Sequence, residues 1–162
     1  MNITIKPGSS MERVVKAAET LGLAIELKVM DQSTRTADDA AAACGCDVGQ
    51  IVKSLIFENA ATGGLVLLLV SGSNAVDLDH LKATEGLDLG RADGRKVRNE
   101  TGFAIGGVAP LGHLAPLPVF MDEALLQYDV VWAAAGRPDS VFRVDPAVLL
   151  QATGAKKMTV TA

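Results

Sequence analysis

The spacing of hydrophobic residues predicts a helix followed by a strand near the start of the chain. Apolar residues recur on one helical face over residues 11–21, where Ser9 or Ser10 can cap the helix and Gly22 can end it. Apolar and polar residues then alternate over residues 24–30, which is typical of a half-exposed strand.

Two apolar runs in the middle of the chain predict a hairpin at the centre of a sheet. Residues 51–58 and 65–70 have the length of strands, and the loop between them contains Gly63 and Gly64. A short alanine-rich helix with acidic residues in its first turn is expected before the hairpin, within residues 36–45.

The second half of the chain mixes helices and strands without strict alternation. This order predicts a single-domain α+β fold over residues 1–162, in which helices flank one mostly antiparallel mixed sheet that curls toward a barrel. Pro146 favours the start of the last helix, because proline suits the first helical position. The predicted helices cover residues 74–81, 91–100 and 146–154, and the predicted strands cover residues 119–121, 130–134 and 141–144.

Composition and charge narrow the class of protein. The chain has 162 residues, 49% of them hydrophobic, and a net charge of −4, so it can bury a core and is not a basic nucleic-acid coat. Aromatic residues are only 4% of the chain, which disfavours a base-stacking platform. Because the net charge is negative, a polyanion such as a nucleic acid could bind only to a local patch of basic residues. The basic residues of such a patch can equally be ordinary surface charges in contact with solvent. That patch consists of Arg91, Arg95, Lys96 and Arg98, to which Lys156 and Lys157 can add.

The sequence lacks the usual signals for membranes, secretion, disulfides and metals. The longest apolar run, residues 65–70, is far shorter than the roughly 20 residues of a membrane-spanning helix. The N-terminus lacks the layout of a secretory signal, so a cytoplasmic protein is expected. Cys44 and Cys46 are too close to form a disulfide framework, and His80 and His113 do not complete a zinc motif with them. We therefore expect no metal and no cofactor.

One lysine interrupts an otherwise apolar strand. With a period of two, Lys53 shares a face with Ile51, Leu55 and Phe57, while Ser54 falls on the opposite face. The lysine stem can carry its ammonium to the sheet edge, or the ammonium can lie at a pocket mouth and bind a carbonyl or phosphate oxygen. The strand alone leaves both interpretations open.

Residues 101–113 are too rich in glycine for a helix and too long for a turn. Glycines can direct consecutive backbone groups at a ligand, and Pro110 can make the exit rigid. Such backbone groups can stabilise an oxyanion or hold a water, and a plain tight connection is the alternative interpretation. A dinucleotide-binding fingerprint does not fit, because the glycines neither follow a strand nor open a helix.

Three motifs occur in order along the chain. They are Lys53-Ser54-Leu55, the glycine-rich residues 101–113, and Ala134-Ala135-Gly136-Arg137 with Val141-Phe142-Arg143. Together they resemble the YbaK/EbsC family, whose members are free-standing relatives of the editing domain inserted in bacterial prolyl-tRNA synthetases. The similarity runs over about residues 11–154.

The resemblance implies a deacylase that acts in trans on tRNA mischarged with a small amino acid such as alanine, serine, threonine or cysteine. It implies Lys53 as the catalytic cation beside the ester, and Gly106 and Gly107 as backbone groups that orient water or the carbonyl. Aminoacyl-tRNA is then the partner, a synthetase is a further candidate partner, and neither DNA nor a membrane is expected. The substrate-binding residues predicted with these are Ser54, Gly102, Pro110, His113, Gly136 and Arg137.

Two other classes of function remain open from the sequence. A catalytically silent module of the same fold would bind a tRNA end or a nucleotide in the pocket. A small-molecule esterase would cleave simple aminoacyl esters without tRNA. The amino acid also remains open, because Ser54 stands where relatives that act on alanyl esters often carry asparagine.

Overall fold

The fold is built on one mixed sheet with the predicted hairpin at its centre. The computed structural model describes residues 5–30, 36–105, 107–137 and 139–162. The strands of this part of the chain are β1 (Glu26–Val29), β2 (Ile51–Asn59), β3 (Leu65–Ser71), β4 (Leu89–Arg91), β5 (Val119–Asp122), β6 (Val131–Ala134), β7 (Ser140–Val144) and β8 (Lys156–Met158). The helices are α1 (Ser10–Thr20), α2 (Ala37–Cys44), α3 (Leu78–Glu85), α4 (Gly94–Thr101) and α5 (Pro146–Thr153).

The order of strands in the sheet is β1-β7-β6-β2-β3-β5-β8, and β4 pairs with β2 beside this path. Strand β6 runs parallel to β2, and both β3 and β8 run parallel to β5, while the other pairings are antiparallel. The predicted α+β fold with helices around a mixed sheet is confirmed, and β2 and β3 lie at its centre as expected.

One edge of β2 is open in its middle. Its other edge pairs with β3 over residues 52–58. On the open edge, β6 pairs only with Ile51 and Val52, and β4 pairs only with residues 57–59. Residues 53–56 therefore have no partner strand on this edge within the described part of the chain. This gap places Lys53 and Ser54 beside an opening in the sheet.

Strand β3 is buried on both faces, which explains its uninterrupted apolar sequence. Leu67 and Leu69 belong to the main core cluster, together with Val14 and Ala18 of α1. Leu68 belongs to a second cluster on the other face, with Leu81 of α3. The centre of the sheet is therefore a rigid support for the neighbouring β2.

The helix boundaries follow the predicted capping residues. The Ser9 hydroxyl accepts a hydrogen bond from the Glu12 N–H at the start of α1. The Thr36 hydroxyl does the same for the Asp39 N–H at the start of α2, and Gly45 ends α2 in the left-handed conformation. These local signals were sufficient to locate both helices.

The structure corrects the bounds of two predicted helices, and it adds strands β4 and β8, which were not predicted. The helix expected from residue 74 starts only at Leu78, because the Asp77 carboxylate caps it by accepting from the His80 N–H. The helix expected over residues 91–100 is Gly94–Thr101, and the short strand β4 precedes it. Strand β8 was not predicted, because its lysine-rich sequence lacks the apolar signal of a strand.

Candidate functional site

A cavity of about 490 Å³ lies along the open edge of β2. Residues 51–57 form one wall, and Ala37 and Ala40 of α2 contribute to another. Trp132 lines it from β6, and most of the remaining lining is also apolar. Ligand pockets of this kind combine an apolar lining with a few polar groups that orient the ligand.

Lys53 is one of two cationic residues that line this cavity, the other being Arg137. The Lys53 side chain is half-buried, and its Nζ donates a hydrogen bond to the backbone carbonyl of Asn74. Burial lowers the pKa of the Lys53 ammonium from its ordinary value, and the nearby Asp122 carboxylate opposes that shift. Lys53 forms no ion pair with any residue that the structure describes, so its ammonium can bind an oxygen of a ligand.

Asp122 organises the surroundings of Lys53 from the end of β5. The carboxylate is 2% exposed, and it accepts hydrogen bonds from the Ser71 N–H at 3.1 Å and the Asn74 side-chain amide at 2.8 Å. A third hydrogen bond comes from the Ala124 N–H at 3.0 Å. Because Asn74 also accepts from Lys53, this buried network holds the segment after β3 against the ammonium.

Sequence reasoning did not identify Asn74 or Asp122 as site residues. A signal was present, because polar residues follow β3 directly and Asp122 ends β5. Strands β3 and β5 are parallel neighbours, so their carboxyl ends meet at one edge of the sheet. That pairing could not be inferred from the local sequence.

Ser54 brings a hydroxyl to the cavity lining. Its Oγ is buried and has no hydrogen-bond partner among the residues that the structure describes. Because an unsatisfied buried hydroxyl is costly, this atom is suited to a polar group of a ligand. Lys53 and Ser54 point to opposite faces of β2, and both reach the cavity because it follows the strand edge.

The glycine-rich segment reaches the cavity through Ile105 and Val108. Gly107 and Pro110 are buried, but neither belongs to the cavity lining. The Gly107 N–H donates to the Ala104 carbonyl at 2.9 Å, so this donor is used inside the segment. Gly106 lies outside the described residues. The catalytic roles of Gly106 and Gly107 therefore stay predictions.

Gly102 and His113 lie at the base of the same segment and away from the cavity lining. Gly102 ends α4 with a φ of +81°. The His113 ring packs edge-on against Phe103, with 5.3 Å between the ring centroids. Burial lowers the pKa of His113 to about 4, so its imidazole is neutral at physiological pH. Neither residue belongs to the cavity lining, and their roles in substrate binding stay predictions.

The late wall of the cavity contains Ala134 and Arg137. The Arg137 guanidinium forms an ion pair with Asp139 at 2.7 Å. Gly136 does not line the cavity, and its φ is +96°. A Cβ at Gly136 would lie 2.9 Å from the backbone carbonyl carbon of Ser10, so glycine is needed here because α1 passes closely.

The predicted site residues therefore separate into two groups. Three of them, Lys53, Ser54 and Arg137, line one cavity. The cavity lining does not include Gly102, Gly107, Pro110, His113 or Gly136.

The predicted basic patch is smaller than its sequence suggests. Lys96 forms an ion pair with Glu58 at 3.3 Å, and Lys156 forms one with Glu85 at 3.2 Å. The remaining members are exposed and form no ion pair with any residue that the structure describes. They are Arg91, Arg95, Arg98 and Lys157.

The structure gives three further observations, which concern metal sites, cysteines and membrane-spanning helices. Within residues 5–30, 36–105, 107–137 and 139–162, no three His, Cys, Asp or Glu side chains form a group that could hold a metal ion. Cys44 and Cys46 are free thiols, and burial raises the pKa of Cys44 to about 11. None of the described helices is long and apolar enough to cross a membrane.

Comparison with known proteins identifies the family. Residues 31–152 match the family model described as "Aminoacyl-tRNA editing domain". The chain belongs to this family. The resemblance to the YbaK/EbsC family is thereby confirmed, and the matched residues include the cavity wall from β2 and the glycine-rich segment.

Relatives of this editing domain extend the comparison. It is 30% identical over 117 residues to "Uncharacterized protein YwhH" of Bacillus subtilis (strain 168), which covers 72% of this chain and 73% of that protein. It is 25% identical over 127 residues to "Putative Cys-tRNA(Pro)/Cys-tRNA(Cys) deacylase EbsC" of Enterococcus faecalis (strain ATCC 700802 / V583), covering 78% and 77% of the two chains.

Solved structures share the whole fold. One, "Crystal structure of a putative trans-editing enzyme for prolyl tRNA synthetase", is 46% identical, with a TM-score of 0.88 and coverage of 98% of this chain and 99% of that chain. Another, "Crystal structure of hypothetical protein APE2540", is 29% identical, with a TM-score of 0.84 and coverage of 93% and 99%.

Proposed function

We propose that this editing domain is a trans-acting deacylase that hydrolyses the ester of tRNA mischarged with a small amino acid of the alanine, serine, threonine or cysteine class. The observation that carries the proposal is an apolar cavity of about 490 Å³ whose lining includes the half-buried Lys53 together with Ser54. The family match supports the tRNA substrate, and the name of the similar protein EbsC supports cysteine as one member of the class.

The reaction needs a positioned water and a stabilised oxyanion. Water attacks the ester carbonyl carbon, and the negative charge that develops on the carbonyl oxygen is stabilised by Lys53. The bond between this carbon and the ribose oxygen then breaks, and the ribose oxygen takes up a proton. The products are a free amino acid and a tRNA with a free terminal hydroxyl.

The cavity favours a proton acceptor from the substrate. Its lining within the described residues contains neither a carboxylate nor an imidazole. The ribose hydroxyl next to the ester can accept the proton of the attacking water and pass a proton to the leaving oxygen. We assign the Ser54 hydroxyl to the α-amino group of the substrate, because its Oγ is buried and otherwise lacks a partner in the described chain.

A panel of mischarged tRNAs tests the proposal. We expect the protein to release the amino acid from at least one tRNA carrying alanine, serine, threonine or cysteine, and to leave bulky aminoacyl esters intact. Loss of the labelled aminoacyl ester is the measurement. Saturable retention of tRNA without ester loss would establish a binding module instead. Equal cleavage of simple aminoacyl esters without tRNA would establish a small-molecule esterase.

The acceptor end would leave the cavity past Ile105 and the start of α4. Ile105 lines the cavity and is 64% exposed, and a Cβ at Gly94 would lie 3.6 Å from the Ile105 Cδ1. Helix α4 therefore starts at the cavity rim, and it exposes Arg95 and Arg98. We infer that these arginines contact the phosphates of a strand that emerges there.

The double variant Arg95→Ala, Arg98→Ala is expected to raise KM for mischarged tRNA about tenfold with kcat nearly unchanged. The slope of log KM against log salt concentration should also be smaller, by about 0.7 for each phosphate contact to a single strand that is lost. Deacylation measured between low and high salt tests both effects. Lys82→Ala is the matched control, because Lys82 is also an exposed helical cation. Equal salt slopes for the wild type, the double variant and Lys82→Ala would mean that Arg95 and Arg98 do not contact the tRNA phosphates.

A further inference from the structure

Arg13 of α1 joins the two ends of the glycine-rich segment. Its Nη2 donates a hydrogen bond to the Gly102 carbonyl at 2.5 Å, and its Nε donates to the Gly112 carbonyl at 3.4 Å. The two carbonyls lie on opposite sides of residues 103–111. One guanidinium therefore closes the base of this segment through two of its nitrogen atoms, whereas a lysine side chain has only one.

Aromatic packing holds the Arg13 side chain in this position. The guanidinium carbon lies 5.0 Å from the centroid of the Phe103 ring, and His113 packs edge-on against the same ring. Phe103 is 1% exposed, and the neutral imidazole of His113 adds no second positive charge beside Arg13. The stack therefore stabilises the guanidinium inside the base of the segment.

The two glycines at the base leave the space that Arg13 occupies. A Cβ at Gly102 would lie 2.5 Å from the Arg13 Nη2, and a Cβ at Gly112 would lie 3.1 Å from the Arg13 backbone carbonyl carbon. Both glycines also have a positive φ, of +81° and +84°. Their conformation and their lack of a side chain both fit a close approach of α1.

Arg13 does not line the cavity, whereas the segment that it closes supplies Ile105 and Val108 to the lining. We infer that Arg13 is a positioning residue of the deacylation reaction, which sets the glycine-rich segment against the cavity. This inference rests on the proposed function. Helix α1 also packs closely against Gly136, which precedes Arg137 of the cavity lining. The helix therefore supports both the glycine-rich segment and the late wall of the cavity.

Loss of Arg13 should leave the fold intact, because other bonds hold the outer part of the base. The Leu114 N–H donates to the Thr101 carbonyl at 3.2 Å, and the Ala115 N–H donates to the Glu100 carbonyl at 2.9 Å. These backbone bonds keep the ends of the segment together. The segment inside them would lose the two hydrogen bonds by which Arg13 joins Gly102 to Gly112.

Arg13→Lys and Arg13→Ala test the inference. Both are expected to lower kcat for mischarged tRNA by about 10- to 100-fold with KM within about twofold, because small displacements of positioning groups have effects of this size. Millimolar methylguanidinium should restore part of the kcat of Arg13→Ala. Lys16→Ala is the matched control on the same helix, because the Lys16 side chain is 71% exposed, and it should behave as wild type.

Hydrogen exchange separates this inference from the proposed function. Both Arg13 variants should show faster amide exchange in residues 103–111 and unchanged exchange in β3, whether or not the protein is active. Wild-type kcat in Arg13→Lys, or unchanged exchange in residues 103–111 of both variants, would overturn the positioning role. If the wild-type protein deacylates no tRNA but the exchange result holds, the proposed function fails and the structural closure by Arg13 stands.

Discussion

The Lys53→Ala protein is expected to fold normally and to lose deacylation by about 10²–10³-fold, the usual loss when one oxyanion-stabilising donor is removed. The lysine is half-buried, so the Asn74 carbonyl that it leaves can bind water. Single-turnover release of the amino acid from mischarged tRNA measures the loss directly. A thermal melt close to that of wild type would show that the variant is folded.

Two further variants make the Lys53 result specific. Lys53→Met keeps much of the side-chain volume and removes only the charge, so it should be as inactive as Lys53→Ala. Lys28→Ala removes an exposed lysine that donates to the Ala43 carbonyl outside the cavity lining, and it should stay active. Near-normal activity of Lys53→Met would show that the Lys53 ammonium is not needed for deacylation.

Mischarged tRNA whose terminal ribose lacks the hydroxyl next to the ester is expected to react about 10²-fold more slowly, the lower end of the range for proton-transfer catalysis. The reason is that the described cavity lining offers no carboxylate or imidazole to take the proton of the attacking water. Rates of enzymatic and spontaneous hydrolysis are compared for the intact and the deoxy substrate.

The deoxy substrate must still bind for this result to be informative. Competition with intact mischarged tRNA measures its affinity, which should lie within a few-fold of that of the intact substrate. Cleavage at an undiminished rate would mean that a side chain of the protein is the base. The proton pathway given under the proposed function would then be wrong, while the deacylase activity itself would stand.

Much of the fold could be predicted because its signals are local. The apolar runs of β2 and β3 and the caps of α1 and α2 involve residues that are close in the chain. Strands β4 and β8 were missed because each has only three residues, and each becomes a strand by pairing with β2 or β5. Such pairing depends on neighbours that are distant in sequence.

The candidate site could be predicted only in part. Lys53 stood out because a cation in an apolar strand needs an explanation, and the structure places it at the cavity with Ser54 and Arg137. The hydrogen bond between Asn74 and Asp122 spans 48 residues of the chain, so no local pattern predicts it. The same holds for Arg13 and Gly102, which are 89 residues apart.

Periodicity, capping residues and the order of motifs were enough to identify an α+β editing domain with Lys53 at its centre, because each acts over a few neighbouring residues or reflects a shared family pattern. Only the tertiary structure revealed the open edge of β2, the hydrogen bond between Asp122 and Asn74, and the closure of the glycine-rich segment by Arg13. Those features arise where segments from different parts of the chain meet, since contact between side chains depends on distance in space.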